Sequence, residues 1–428
     1  MDMPFKIGVI GMGGYAISHH EAISQLERDG VAKLVCTCDP IPSAFASWQQ
    51  AWEFSRRKVR VYGHYRDMLL AEAERLDVVV VPTPIALHLE MHQACVEAGI
   101  ACYLEKPPTL VYTELEQMIS QDLAAHKKTF VGFNYISEPT RLQLKQRLLQ
   151  GDFGRITRAS LTAMWRRPMS YFQRNDWGGR LRREGRLLLD SCFGNAMAHF
   201  VHNMLFWVGE KQLHSWGTID HVCAELYRAN DIEGADTFFV EASAGGVPIR
   251  FALTHACARK DHHVEVLECE LATIRFMVGG QVEIEWREGR REVIPLPPFA
   301  VPYENHLDYF RYLRGQCARP TTTLKDCRPF VYLNDLAHIS SGIIDGLPPD
   351  KLTLVPHDDA RDLCIAIVGI EDDIERFIEC GIWPGEHGWG RESAPRLVTP
   401  RDLPELPAVV DAMSESAAAG LLAKSARA

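Results

Sequence analysis

Cysteine is sparse and ungrouped in this chain, with twelve among 428 residues and no C-x-x-C anywhere. That leaves no disulfide scaffold and implies a reducing compartment. Cys36 and Cys38, in VAKLVCTC, fall on one strand face and read as small core fillers. No apolar run reaches the roughly 18 residues of a membrane span. The longest candidate, Leu187–Gly209, is broken by Asp190, Asn195, His199, His202 and Asn203, and reads as a buried helix with a polar face. The opening MDMPFKIGVIGMGG has no basic stretch before its apolar residues, so no secretory signal is expected and the location is read as cytoplasmic. Positive charge is in deficit: 46 Lys and Arg against 56 Asp and Glu, net −10. That argues against a nucleic-acid partner, because such binding rests on cation–phosphate contacts. No metal-binding group is expected. His262 and His263 are adjacent on a strand and point to opposite faces, and His19 and His20 read as ordinary helix residues. There are no internal repeats.

What is present is an ordinary globular composition, 46% hydrophobic and 24% charged, whose length allows two or three domains. Over the first 130 residues, strand-like and helix-like runs alternate. DVVVV at 77–81 is apolar enough for a strand buried on both faces of a parallel sheet. The expected fold is α/β, with an N-terminal doubly wound parallel Rossmann sheet over 1–130. The second domain, 131–346, is α/β on a large, mostly antiparallel open sheet with one wet face. A C-terminal extension, 347–428, is expected to be helical over Asp362–Cys380 and to fray after about 392.

Phe5–Ile10 is followed by Gly11-Met12-Gly13-Gly14-Tyr15-Ala16 and then a helix. This G-x-G-x-x-A loop stands where a dinucleotide fingerprint requires it: the first glycine turns, the second lets backbone approach a pyrophosphate, and Ala16 allows close helix–strand packing. Asp39, at the end of the second strand, is placed to accept hydrogen bonds from ribose hydroxyls and to repel a 2′-phosphate. Pro40, Ile41 and Pro42 supply no cation, so NAD is favoured over NADP.

Residues 78–109 then carry a resemblance. Thr83-Pro84-Ile85-Ala86-Leu87-His88, Ala98-Gly99 and Glu105-Lys106-Pro107, followed by Gly132-Phe133-Asn134-Tyr135 and Gly151-Asp152-Phe153-Gly154-Arg155-Ile156, resemble the glucose–fructose oxidoreductase / inositol dehydrogenase / MocA (Gfo/Idh/MocA) family over roughly residues 5–345. The resemblance implies an oxidoreductase that uses a nicotinamide cofactor on a sugar or polyol hydroxyl. It also implies a homo-oligomer, dimer or tetramer, built on the second domain's open sheet. The cofactor set it implies is Gly11, Gly13, Gly14, Tyr15, Ala16, Asp39, Thr83, Pro84, His88, Glu105, Lys106 and Asn134.

Hydride transfer at a carbinol needs a proton acceptor and a charge beside the developing alkoxide. Lys106 matches the family's E-K-P lysine and is the alkoxide stabiliser; its alternative reading is a surface ion pair. His199 is the candidate base, since an imidazole titrates near neutrality. The family shows D-x-G-x-H-x-x-D before an apolar helix. Counting back from Phe206-Trp207-Val208-Gly209 puts Asn195 on the first Asp, His199 on the histidine and His202 on the last Asp. Asn195, four residues before His199, would share its helical face. Asp190 is the nearest carboxylate and comes five residues too early, so which of Asp190 and Asn195 takes the family aspartate's role stays open.

The loop MWRRPMSYFQRNDWGGRLRREGR at 164–186 mixes rings that stack on sugar C–H faces with groups that bond hydroxyls. Its candidate substrate residues are Trp165, Arg166, Arg174, Asn175 and Trp177, joined by Tyr135, Lys106, Asn195, His199 and His202. A solvated basic loop is the alternative. The leading expectation is an NAD-dependent oxidoreductase of a sugar, cyclitol or glycoside. A glycoside-cleaving enzyme that oxidises, eliminates and returns the hydride, and a non-catalytic NAD and sugar sensor, are its rivals.

Overall fold

The computed structural model describes residues 3–358, 362–391 and 393–425. The chain divides into two compact units. The first runs to Thr109 and takes in Thr113–Pro139 and Phe299–Arg328; the second holds Leu110–Tyr112, Thr140–Pro298 and the residues described from Pro329 on.

The first unit is built on six parallel strands: β1 (Phe5–Ile10), β2 (Ala32–Cys38), β3 (Arg60–Tyr62), β4 (Val78–Val81), β5 (Ala101–Leu104) and β6 (Phe130–Val131). Their order is β3-β2-β1-β4-β5-β6, so the chain reverses direction beside β1, and a crevice opens at the carboxyl ends of β1 and β4. All four valines of β4 are buried, as an apolar run covered on both faces demands. This unit also claims a helix from far along the chain. In Tyr303–Leu313, Phe310 stacks on Phe5 with centroids 4.3 Å apart and Tyr309 stacks on Phe130 at 5.4 Å. The span expected to belong wholly to a second domain therefore returns to the first over 299–328. Glu116 makes a bidentate pair with Arg328 at 2.6 and 2.7 Å.

The second unit holds β7 (Ile156–Met164), a short hairpin β8 (Arg182–Arg183) and β9 (Arg186–Leu187), then β10 (Ile219–Arg228), β11 (Thr237–Ala244), β12 (Val247–Thr254), β13 (His262–Cys269), β14 (Ala272–Met277), β15 (Gln281–Trp286), β16 (Arg291–Pro295) and β17 (Ile344–Gly346). Nine of these form one sheet in the order β16-β15-β14-β13-β7-β12-β11-β10-β17. Only β7–β12 and β10–β17 pair in parallel. Adjacent residues on β11 show its two faces. Phe238 stacks on Phe193 at 5.1 Å, while Phe239 meets Phe377 at 5.3 Å and Trp389 at 5.6 Å.

Those last two residues belong to the C-terminal extension, which forms β18 (Leu352–Pro356), β19 (Leu363–Ile367) and the helix Ile370–Cys380. Here the sequence expectation is corrected. Helix was expected from Asp362, but Leu363–Ile367 pairs with β18 as a strand. Over β10–β12 the sheet face expected to be wet is covered by Ile370, Ile374, Phe377 and Trp389, and so is not available there as an open face for a second subunit. Over β15 and β16 it stays wet, with Glu285 paired to Arg291 at 2.8 Å. The tail expected to fray after about 392 is also ordered in large part. Val398 pairs with Val222, and a helix Leu406–Ser425 follows, with Leu406, Val410, Met413 and Ala417 buried.

The core of the second unit contains a buried ion pair. Arg141 donates to both oxygens of Glu265 at 2.6 and 3.3 Å, and Asn203 and Trp207 donate to the same carboxylate at 2.9 and 2.6 Å. Four donors on one carboxylate give the geometry a buried charge requires. Lys145, also buried, donates to the carbonyls of Phe206, Trp207 and Gly209 at the end of the helix Ala198–Trp207. Burial pushes its ammonium down to about 7.

Candidate functional site

Gly11 has φ +117° and Gly14 φ +56°, backbone that side chains rarely adopt. A Cβ on Gly14 would meet no atom within 4 Å, so the surface above the loop is open, whereas one on Gly13 would come within 2.9 Å of the Phe45 ring. Ala16, buried, packs under the turn. His20 donates from Nε2 to the Gly11 carbonyl at 3.1 Å and stacks on Trp52 at 4.7 Å, so it anchors the loop. Asp39 accepts from the backbone N–H of Met12 at 3.3 Å and of Ile41 at 3.0 Å. These bonds hold the carboxylate beside the glycine loop, where a ribose would lie. Loop, open cleft and oriented acid fit a bound dinucleotide.

Glu105 and Lys106 follow β5. Glu105 is buried and accepts from the Lys106 N–H at 3.1 Å. Behind it stands a pair the sequence did not reveal: His19 Nε2 lies 3.1 Å from Glu105 Oε1, and His19 Nδ1 lies 3.1 Å from His306 Nε2. One neutral tautomer serves both contacts, with His306 donating to His19 and His19 to Glu105. Burial drives the group toward neutrality. It lifts the Glu105 carboxyl to about 7, against the pull of the Lys106 charge, and pushes His19 down to about 3. Tyr103 packs edge-on to His19 at 5.1 Å. Gly132 has no room for a side chain, because a Cβ there would stand 2.8 Å from the Tyr103 ring. His19 is thus no ordinary helix residue. Nothing in sequence spacing signals a contact between residues 287 apart.

Other members of the expected cofactor set divide. Asn134 is buried and accepts from Asn305 at 3.1 Å. Tyr135, expected instead beside the substrate, sits at φ +73°, a strained conformation for a bulky residue. Tyr15 is 42% exposed at the glycine loop. Thr83 and Pro84 follow β4, and the Thr83 hydroxyl contacts Met91 Sδ at 3.3 Å. His88 departs from a cofactor role. It is fully buried, with Nε2 2.9 Å from the Thr83 carbonyl and Nδ1 3.0 Å from that of Pro107, so it ties the segments after β4 and β5 together.

In the second unit, the continuous helix expected over 187–209 is broken. Cys192–Ala196 is a π-helical turn capped by Ser191, Met197 departs from helical backbone, and the helix proper is Ala198–Trp207. Asn195 and His199 lie on either side of that break. Asn195 donates its side-chain amide to Asp190 Oδ1 at 2.7 Å, and Asp190 Oδ2 accepts from the Gly179 N–H at 2.7 Å. Leu189, at φ +54°, turns the chain to make this possible. The acid that is five residues early in sequence is therefore bonded to Asn195. His202 is corrected from substrate contact to core. It is fully buried against Trp216 at 5.1 Å and Phe330 at 6.4 Å, and burial holds its pKa well below the usual value.

The aromatic loop is stapled by the extension. Arg166, expected to face substrate, pairs with Asp358 at 2.6 Å. Ser170 donates to Asp362, and Pro168 bridges to Cys364. Trp165 lies under the Arg167 guanidinium at 3.7 Å. Asn175 is a turn-former that accepts from the N–H groups of Trp177 and Gly178 at 3.2 and 2.7 Å. Arg174 lies over the Tyr171 ring at 3.6 Å and near Trp177 at 5.3 Å. The twelve cysteines are free thiols. Among the described residues, no group of three or more His, Cys, Asp or Glu could hold a metal, and no helix is long and apolar enough to cross a membrane.

A parallel six-stranded sheet with a glycine loop after β1 and an acid after β2 defines an NAD-binding Rossmann domain. A family model described as "Oxidoreductase family, NAD-binding Rossmann fold" matches residues 5–135. Over these residues the chain is similar to the Gfo/Idh/MocA family. It is 25% identical over 182 residues to an inositol 2-dehydrogenase of Rhizobium meliloti, covering 42% of this chain and 51% of that protein. The match thus spans about half that relative's length. It is 24% identical over 320 residues to a D-apiose dehydrogenase of Paraburkholderia graminis, covering 70% and 76%. The solved structure of the WlbA dehydrogenase of Chromobacterium violaceum, in complex with NADH and UDP-GlcNAcA, shares the fold with a TM-score of 0.64 at 22% identity, covering 79% of this chain and 94% of that one.

Proposed function

We propose that this protein is an NAD-dependent oxidoreductase acting on a CH–OH or ketone carbon of a sugar, cyclitol or glycoside. The observation that carries the reading is Asp39, held by two backbone N–H groups beside an open glycine loop, in a domain whose next motif is Glu105-Lys106-Pro107. The relatives named as inositol and apiose dehydrogenases support the substrate class. Asp39 with Pro40, Ile41 and Pro42 favours NAD over NADP, since a carboxylate repels a 2′-phosphate.

Gly11, Gly13 and Gly14 would hold the pyrophosphate and Asp39 the ribose. Bound NAD supplies the hydride acceptor. Lys106 hydrogen-bonds the reacting oxygen and favours its anionic form. His199 takes the hydroxyl proton and returns it in the reverse direction. Asn195, oriented by Asp190, binds a hydroxyl or steadies the base. The test mixes purified protein, NAD and a panel of sugars and polyols and follows absorbance at the NADH band. Turnover that is lost in Lys106→Ala and His199→Ala, with NAD affinity intact, supports the roles; unchanged activity in both variants refutes them. Glycoside cleavage without net NADH would assign the oxidation–elimination reading instead, and binding without any turnover the sensor.

A further inference from the structure

A cavity of about 310 Å³ opens in the second unit between the aromatic loop, the 230–233 turn and β19 of the extension. We propose that it is a subsite for a second, uncharged sugar ring, so that the substrate of the oxidoreductase is a glycoside of at least two rings. The inference rests on the reading of His199 as the reacting base.

The cavity walls suit such a ring. Phe172, Ile232 and Ile365 form an apolar side, which matches the C–H face of a pyranose. Asp231 and Glu233 offer carboxylate acceptors for hydroxyls. Glu233 is fixed in place by accepting from the Leu181 N–H at 3.1 Å. Among the described lining residues Arg180 is the one cation, and Asp176 is already paired with Arg183 at 2.8 Å, so with Asp231 and Glu233 also in the wall the lining offers no net positive charge to hold a phosphate or carboxylate. The volume lies at the low end of the roughly 300–1,000 Å³ of small-molecule sites, which fits one ring rather than a nucleotide.

The cavity also connects to the histidine helix. Gly179, in its wall, donates to Asp190, and the other oxygen of Asp190 accepts from Asn195. The wall and the π-helical turn that precedes the helix are thus two hydrogen bonds apart. Gly179 is tightly built in, since a Cβ there would stand 2.8 Å from Ile232. The extension supplies Ile365 and, by pairing Asp358 with Arg166, holds the loop that forms the opposite wall.

The test is calorimetric titration of the full-length, NAD-saturated protein with glucose, cellobiose, maltose and glucose 1-phosphate. The expected result is a disaccharide binding at least tenfold tighter than glucose. Phe172→Ala and Ile232→Trp should each remove that gain while glucose affinity holds within twofold. Phe172, half-buried on the short helix Met169–Gln173, carries the test alone if Ile232→Trp lowers the melting temperature. Equal mono- and disaccharide affinities, tighter binding of the phosphate, a gain indifferent to both variants, or no saccharide binding at all would overturn the subsite. Because binding is read without turnover, a disaccharide that binds as expected but yields no NADH sinks the oxidoreductase reading and leaves the subsite standing.

Discussion

Asn195 donates its side-chain amide to Asp190 at 2.7 Å, across a π-helical turn. The second oxygen of Asp190 is held by the Gly179 N–H, so the carboxylate ties the π-helical turn before the histidine helix to the aromatic loop. Asp190→Ala removes the acceptor from both donors, and bonds to a charged group are worth about 1.5–3 kcal/mol. The expected outcome is a fall in kcat/KM of roughly tenfold or more in the NADH assay. Asn195→Ala, which keeps the Asp190–Gly179 bond, should lose less.

Glu105 and His19 give opposite pH dependences. The folded pKa of Glu105, about 7, lies above its ordinary 4.5. Its contribution is therefore full below about 4.5 and is lost as pH rises through 7, by up to about 3 kcal/mol. His19 is depressed to about 3 from 6.5, so its contribution is full above 6.5 and is lost as pH falls toward 3. Urea unfolding of wild type and Glu105→Gln should show wild type losing ground to the variant between pH 4.5 and 7. A constant difference across that window would contradict the assignment.

Asp39→Ala should weaken NAD binding about tenfold or more, by loss of hydrogen bonds to the carboxylate, and narrow the preference over NADP. Fluorescence titration with both cofactors measures it. Equal affinities for NAD and NADP in the wild type would show that Asp39 does not select.

Arg141→Met leaves Glu265 charged in the core, with Asn203 and Trp207 as its remaining donors in that network. Breaking one side of a buried pair costs about 3–5 kcal/mol. Replacing both partners should not restore stability fully, because the donors on Asn203 and Trp207 lose their acceptor. Denaturant titration of the two single variants and the double variant provides the comparison.

Ending the chain at Gly346 uncovers Tyr227, Phe239 and Ala252, which pack against Ile370, Phe377 and Trp389 in the intact protein. Each large apolar side chain returned to water costs about 1.5–3 kcal/mol. The shortened chain should melt several degrees lower and self-associate, as read by calorimetry and light scattering. An unchanged melting temperature would show that the extension adds no stability.

The sequence by itself determined the Rossmann sheet, the glycine loop, Asp39 and the Glu105-Lys106-Pro107 motif. Each is local: a strand, a turn and the next helix fix it within a few residues, and its physical requirement shows in residue type and spacing. It also pointed to His199 and to a large second sheet. Only the tertiary structure decided the rest. The helix Tyr303–Leu313 joins the first unit because Tyr309 and Phe310 find aromatic partners there, and periodicity shows that a helix has an apolar face without showing what covers it. His19 became part of a buried relay, His202 a core residue and Arg166 the partner of Asp358 through contacts that spacing does not encode. Asp190 reached Asn195 because a positive φ at Leu189 and a π turn spend the five residues that linear counting could not absorb.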